Sequence, residues 1–155
     1  WFAPILSFTT EEIFKILNKN NDSIHLKTFP KIPKKWCDNK LSEKWNKMSY
    51  IKQVCNAAIE EKRSGKELGS SLEADLEIYL NNQYLELVKK IDLSEFCITS
   101  KAVVKPLDNK KENLFQIERI DGIKVFVKKA VGNKCPRCWK IVKKTCARCE
   151  EARIV

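Results

Sequence analysis

A single histidine, His25, and a single methionine, Met48, are all that 155 residues contain of either type. With one histidine, no His-based catalytic pair can be assembled, and no ligand set can rest on several imidazoles. Glycine is scarce too: Gly69 stands beside Ser70 and Ser71, but no Lys-Ser or Lys-Thr follows, so this is not a phosphate-cradling loop. No stretch approaches the ~18 consecutive apolar residues that a membrane-spanning helix requires. The opening Trp1-Phe2-Ala3-Pro4-Ile5-Leu6 lacks the basic flank of a secretory leader. A first residue that is Trp rather than Met suggests a piece of a longer polypeptide.

The most informative absence is local. Residues 124–149 contain no acid at all, yet hold nine bases: Lys124, Lys128, Lys129, Lys134, Arg137, Lys140, Lys143, Lys144 and Arg148. The net charge of +10 is correspondingly lopsided, about +1 over residues 1–97 and about +9 over 98–155. A field of one sign, concentrated in one stretch, attracts polyanions, and phosphate backbones are the commonest of these. A solubilising tail is the bland alternative. An anionic membrane surface is a poorer fit, because no amphipathic helix or lipidation signal accompanies the charge.

Hydrophobic residues make up 43% of the chain, with 4 Trp and 7 Phe, enough for a real core. Thr9 with Glu12 reads as a capping box that opens a short helix through about Leu17, with Ile13, Ile16 and Leu17 on its apolar side. Residues 18–40, rich in Asn and spaced by Pro30 and Pro33, read as an irregular connector whose Phe29, Trp36 and Cys37 pack back onto helices. From a Ser42 cap, Trp45, Met48, Ile51, Cys55, Ala58 and Ile59 recur at helical spacing, up to a left-handed stop at Gly65. The stripe needs partners, and these are expected outside the chain. Lys47-Met48-Ser49 superficially matches half of a synthetase ATP loop, but Met48 belongs to the apolar stripe.

After Gly69 the period changes. Leu72 to Leu80 alternates like a half-buried strand, and residues from Tyr84 to about Leu93 read as a helix. Phe96-Cys97-Ile98 and Ala102-Val103-Val104 are strand-like. Leu114–Ile120 and Ile123–Val127 form a candidate hairpin around Asp121-Gly122. The fold class is therefore α+β: a helical part over residues 1–68, a small mixed α/β part over 69–130, and a cysteine-rich module over 131–155.

Seven cysteines are an odd number, and only the last four cluster. Cys135-Pro136-Arg137-Cys138 and Cys146-Ala147-Arg148-Cys149 are two Cys-x-x-Cys knuckles with seven residues between them. Two residues between thiols let a tight turn aim both sulfurs at one point, and two such turns complete a tetrahedron around Zn2+. The gap is shorter than the 15–20 residues of a common zinc ribbon. Four protein ligands leave no place for a reactive water, so the expected role of this zinc is structural. Positive charge around the thiols favours thiolate, and the lack of a leader suggests a reducing compartment, the cytoplasm. Trp139, directly after the first knuckle, is either a lid on the cysteines or a platform for an unpaired base. Arg137 could meet a base edge or a phosphate, while Lys128, Lys129, Lys134, Lys140, Lys143, Lys144 and Arg148 are candidate phosphate contacts.

Three segments in this order resemble one family. Trp1 to Phe14 resembles the segment of class I aminoacyl-tRNA synthetases near the end of their helical anticodon-binding domain, a segment shared with valyl enzymes. Lys66-Glu67-Leu68-Gly69-Ser70-Ser71-Leu72-Glu73-Ala74 is similar to a turn of isoleucyl enzymes. Lys134 to Trp139 with Cys146 to Cys149 resembles the C-terminal zinc module of bacterial-type isoleucyl-tRNA synthetases. The resemblance implies an ATP-dependent ligase that charges tRNA(Ile), with Arg137 and Trp139 approaching the anticodon loop and Cys135, Cys138, Cys146 and Cys149 holding zinc. Catalytic and editing domains would lie elsewhere in a monomeric chain, so this stretch alone should not aminoacylate, and no catalytic residue is expected in it. Two other readings remain: a zinc-finger DNA-binding tail like that of certain repair glycosylases, and a scaffold that touches little RNA.

Overall fold

The computed structural model describes residues 1–18, 22–107, 113–144 and 146–152. The chain divides into two compact units, Trp1–Asp38 and Asn39–Val155.

In the first unit, helix α1 (Ser7–Leu17) starts ahead of the expected capping box. Its cap position is Leu6, without a side-chain cap, and the Thr10 hydroxyl instead donates to the Leu6 carbonyl at 2.8 Å. Glu11 ties the unit together. Its carboxylate accepts from the Ser23 hydroxyl at 2.8 Å and the Ile24 amide at 3.0 Å, and the Ser23 hydrogen bond above all holds its pKa below the usual range. Two single 3-10 turns, Ile24–Leu26 and Lys34–Trp36, are the regular structure of the connector. Phe29, Trp36 and Cys37 do not pack back: all three are exposed, as are Ile13, Ile16 and Leu17.

The second unit begins with α2 (Asn39–Ser64), three residues ahead of the expected Ser42 cap. Met48, Ile51, Val54, Cys55, Ala58 and Ile59 are its buried stripe, while Trp45 stays half-exposed beside the Phe96 ring, with centroids 6.0 Å apart. The stripe's partners are inside the chain, on the strands that follow, which corrects the expectation that they lie outside it. The helix ends in a Schellman turn: the Glu67 amide donates to the Lys62 carbonyl at 3.0 Å, and the Lys66 amide to Arg63 at 2.9 Å. The left-handed position of such a turn is one residue beyond Gly65, so Lys66 occupies it at φ 59°.

Three strands form one sheet in the order β2-β1-β3: β1 (Ala74–Leu80), β2 (Lys101–Pro106) and β3 (Ile123–Lys129). Leu72 and Glu73, expected in the first strand, belong to a 3-10 turn, Ser71–Glu73. β1 and β2 are parallel, which demands a crossover, supplied by α3 (Asn82–Val88) and α4 (Leu93–Phe96). β3 runs antiparallel on the other side of β1. Alternation places Leu76, Ile78, Leu80, Ile123 and Val125 against α2, and all are buried.

Two expected elements take another form. The single helix through Leu93 breaks after Val88, because the Asp92 carboxylate caps a second helix by accepting from the Ser94 amide at 2.8 Å. The strand expected at 96–98 is therefore the end of that helix, and Ile98 is left-handed at φ 55°. Of the hairpin's first arm, Phe115 pairs with Val125 as an isolated bridge, since the Ile120 amide closes a turn onto Ile117 at 2.9 Å. The Asp121-Gly122 turn does form. Gly122 sits at φ 78°, and a Cβ there would lie 2.1 Å from the Asn81 amide nitrogen.

Candidate metal centre and basic surface

The cysteine module is built on very little backbone: β4 (Asn133–Lys134) pairs antiparallel with β5 (Ile141–Val142), and α5 (Ala147–Glu151) closes it. Gly132 permits the entry, because a Cβ at that position would stand 2.4 Å from the Val142 carbonyl oxygen. Between the two strands the chain makes a knuckle: the Trp139 amide donates to the Cys135 carbonyl at 3.0 Å, and the Cys135 amide to Lys140 at 2.9 Å. The second knuckle is the first turn of α5, with the Cys149 amide donating to Cys146 at 2.9 Å.

The two knuckles face each other. All four sulfurs lie within 4.8 Å of one another; Cys138 and Cys146 are 3.5 Å apart, and Cys135 and Cys149 are 3.8 Å apart. A tetrahedron with metal–sulfur bonds of ~2.3 Å has sulfur–sulfur edges of about 3.8 Å, so the set fits a four-coordinate thiophilic ion. Its electrostatics point the same way. Backbone N–H groups of Cys138 and Arg137 aim at the Cys135 sulfur and lower its pKa to about 6, while burial raises that of Cys149 to about 12. Sulfurs this close cannot all become thiolates without a cation among them. A divalent metal is what would let the protons leave.

Around this centre the nine basic residues divide. Arg137 is turned back across the module, its guanidinium donating to the Cys149 carbonyl at 3.3 Å. Lys140 is largely covered, 13% exposed, with its ammonium 2.5 Å from Glu95. Arg148 reaches the other oxygen of the same carboxylate at 3.2 Å. Lys128 pairs with Glu77 at 3.3 Å on the sheet. Lys124 is half-buried on β3, and Lys129, Lys134, Lys143 and Lys144 are exposed.

Trp139 is 59% exposed and left-handed at φ 66°, with the Lys134 ammonium 5.1 Å from its ring centre. More than half of the indole surface is thus open to solvent. Glu95 and Ser100, which hold the module from α4 and the start of β2, were not foreseen from sequence. They lie about 40 residues from their partners, in a stretch whose helical turn was read as strand.

The Anticodon-binding domain of tRNA ligase family model matches residues 1–80. Isoleucine--tRNA ligase of Pelagibacter ubique is 49% identical over 148 residues, 96% of this chain and 15% of that protein. The corresponding ligases of Bradyrhizobium diazoefficiens and Bartonella quintana are 40% and 36% identical, across 91% and 90% of this chain and 14% of each relative. The chain thus spans about 15% of the length of the curated relatives it matches. The four cysteines fall beyond the family-model match. The chain belongs to the anticodon-binding domain family of tRNA ligases.

Proposed function

We propose that this chain is the C-terminal, tRNA-contacting part of an isoleucine–tRNA ligase, and that its cysteine module presents a base-stacking and phosphate-binding surface. The observation that carries the proposal is the conjunction of an open, left-handed Trp139 with exposed lysines, directly on a four-thiol metal site in a segment without acids. An aromatic face is a platform for any unpaired base, and a single-sign field draws the backbone that carries it. Lys134, beside the ring, would meet the adjacent phosphate; Lys143, Lys144, Lys129 and Lys128 would follow the strand outward. Arg137, bound back to Cys149, would shape the knuckle and turn toward RNA only by exchanging that hydrogen bond.

The metal in this reading is one Zn2+ on Cys135, Cys138, Cys146 and Cys149. A closed four-thiolate sphere supplies rigidity and leaves no open position for substrate. Joining isoleucine to tRNA(Ile) with ATP belongs to the remainder of the ligase, working as a monomer in the cytoplasm, while this region supplies grip. Among the described residues no helix is long and apolar enough to cross a membrane.

The test is tRNA(Ile) affinity across a salt series, beside duplex DNA of equal charge, with metal content measured in parallel. Trp139→Ala should weaken tRNA binding by about 1–3 kcal/mol while leaving the salt slope intact. Replacing Lys143 and Lys144 should flatten the slope by about two and weaken all RNAs alike. Equal affinity for duplex DNA, or full affinity in both variants, would refute the proposal.

A further inference from the structure

We infer that Glu95 and Ser100 form a latch that seats the cysteine module on the sheet and thereby sets the direction in which Trp139 is presented, an inference that rests on the tRNA-contacting reading above. The module has little means of orienting itself. Two two-residue strands and one helical turn bury two of their thiols and little else. Its entry is one strand of backbone after β3, held where the Ala130 amide donates to the Glu73 carbonyl at 2.7 Å, then running through exposed Val131 to Gly132. A single tether of that kind leaves the module free to swing.

Fixation comes from the opposite side. The Glu95 carboxylate receives a cation on each oxygen, Lys140 at 2.5 Å and Arg148 at 3.2 Å. Lys140 follows the first knuckle at one residue's remove and Arg148 lies within the second, so one carboxylate bridges both halves of the metal site. Both cations reach it together only when the two knuckles are closed on each other. Lys140 also donates to the Ser94 hydroxyl at 3.3 Å. One residue further, the Ser100 hydroxyl accepts from the Ile141 amide at 2.6 Å and donates to the Leu72 carbonyl at 2.5 Å, joining β5 to the segment ahead of β1.

The local backbone is arranged to present these groups. Asp92 caps α4, and Ile98 then turns left-handed, an uncommon conformation for a β-branched residue that persists only where its surroundings over-determine it. That turn, closed by the Thr99 amide on Ser94 at 2.9 Å, presents Glu95 to Lys140 and Ser100 to Ile141. Trp139 is the residue immediately before this pinned pair. Holding residues 140 and 141 therefore holds the ring, and preorganising a stacking platform lowers the ordering cost of binding. Glu95 and Ser100 are positioning residues, and Lys140 and Arg148 act on the tRNA through them.

The test uses the full-length, zinc-loaded ligase with an isoleucine-accepting tRNA transcript as probe. Ser100→Ala and Glu95→Gln should speed hydrogen exchange of the Ile141 amide about tenfold while one zinc per chain is retained. Glu95→Gln and Lys140→Ala should each weaken tRNA binding about fivefold at an unchanged salt slope, and the double variant should be no weaker than either alone. Lys143→Ala, by contrast, should lower the slope by about one. Unchanged Ile141 exchange in both single variants, loss of zinc, or additive effects with a lower slope for Lys140→Ala would each overturn the latch. If exchange accelerates but Trp139→Ala and Lys143→Ala bind tRNA normally, the tRNA reading fails and takes the presenting role with it, while the seating stands on the exchange rates.

Discussion

The sheet with its long helix and the cysteine module belong to one compact unit, yet they are held together by different physics. Between α2 and the three strands lie Met48, Ile51, Leu76, Ile78, Leu80, Ile123 and Val125, all with essentially no solvent contact. That layer excludes water from a continuous apolar surface, the dominant driving force of folding. The module, adjoining it in sequence, has Cys135 and Cys149 as its buried hydrophobic residues. Its sulfurs are spaced for an ion, and the face it turns to α4 and the start of β2 is tied by charge and hydroxyl groups. Where a chain is too short and too basic to build a core, a metal and a few polar ties can do the same work, and they leave the surface free for a polyanion.

The sharpest way to break this comparison is to strip the four thiols of any metal they hold. Apparent binding free energies of about 10–16 kcal/mol accompany structural zinc at such sites, more than twenty residues of knuckle could replace. A strong chelator, or Cys138→Ser, should therefore abolish exchange protection over 133–150 while protection of β1 and α2 persists. Loss of both together would show a single cooperative unit and end the distinction. The reverse experiment is Ile78→Ala at the centre of the sheet. It should cost about 2–5 kcal/mol of global stability by denaturant unfolding, without changing metal stoichiometry below the transition.

A smaller effect tests the local backbone. Lys66, left-handed at φ 59°, stands where glycine is preferred, so Lys66→Gly should raise stability by about 0.5–1 kcal/mol, read as a higher melting temperature. The gain should appear in the sheet's transition and be absent from metal affinity. The smallest effect concerns pH. Hydrogen bonding to Ser94, first of all, holds the Asp92 carboxylate below its ordinary pKa. A depressed acid adds stability above its unfolded value, and that contribution is lost as pH falls through the folded one. Acidification below pH 4 should therefore loosen the cap of α4, seen as faster exchange of the Ser94 amide, before the strands respond.

What was legible in the residues follows from locality. The apolar period from Met48 to Ile59, the alternation through Leu80, and the spacing of two Cys-x-x-Cys knuckles are each determined within a dozen residues, because helix, strand and metal turn repeat over short distances. The direction of charge along the chain was equally plain. Tertiary structure decided what depends on distant partners. A turn closed by the Ile120 amide onto the Ile117 carbonyl takes up most of the first arm, so the expected hairpin shrinks to the Phe115–Val125 bridge on the edge of β3 away from β1. The Asp92 cap that replaces the apparent strand at Phe96-Cys97-Ile98 is a local signal, two residues from the Ser94 amide, that the sequence reading missed, whereas α2 covers strands far along the chain instead of awaiting partners from outside. The same holds at the surface: nine bases without an acid looked alike in sequence, and only folding brought Glu95 and Ser100 beneath Lys140, Ile141 and Arg148. Composition determines that a charge exists; whether it faces solvent or a carboxylate some 45 residues away is decided by which segments the core brings together.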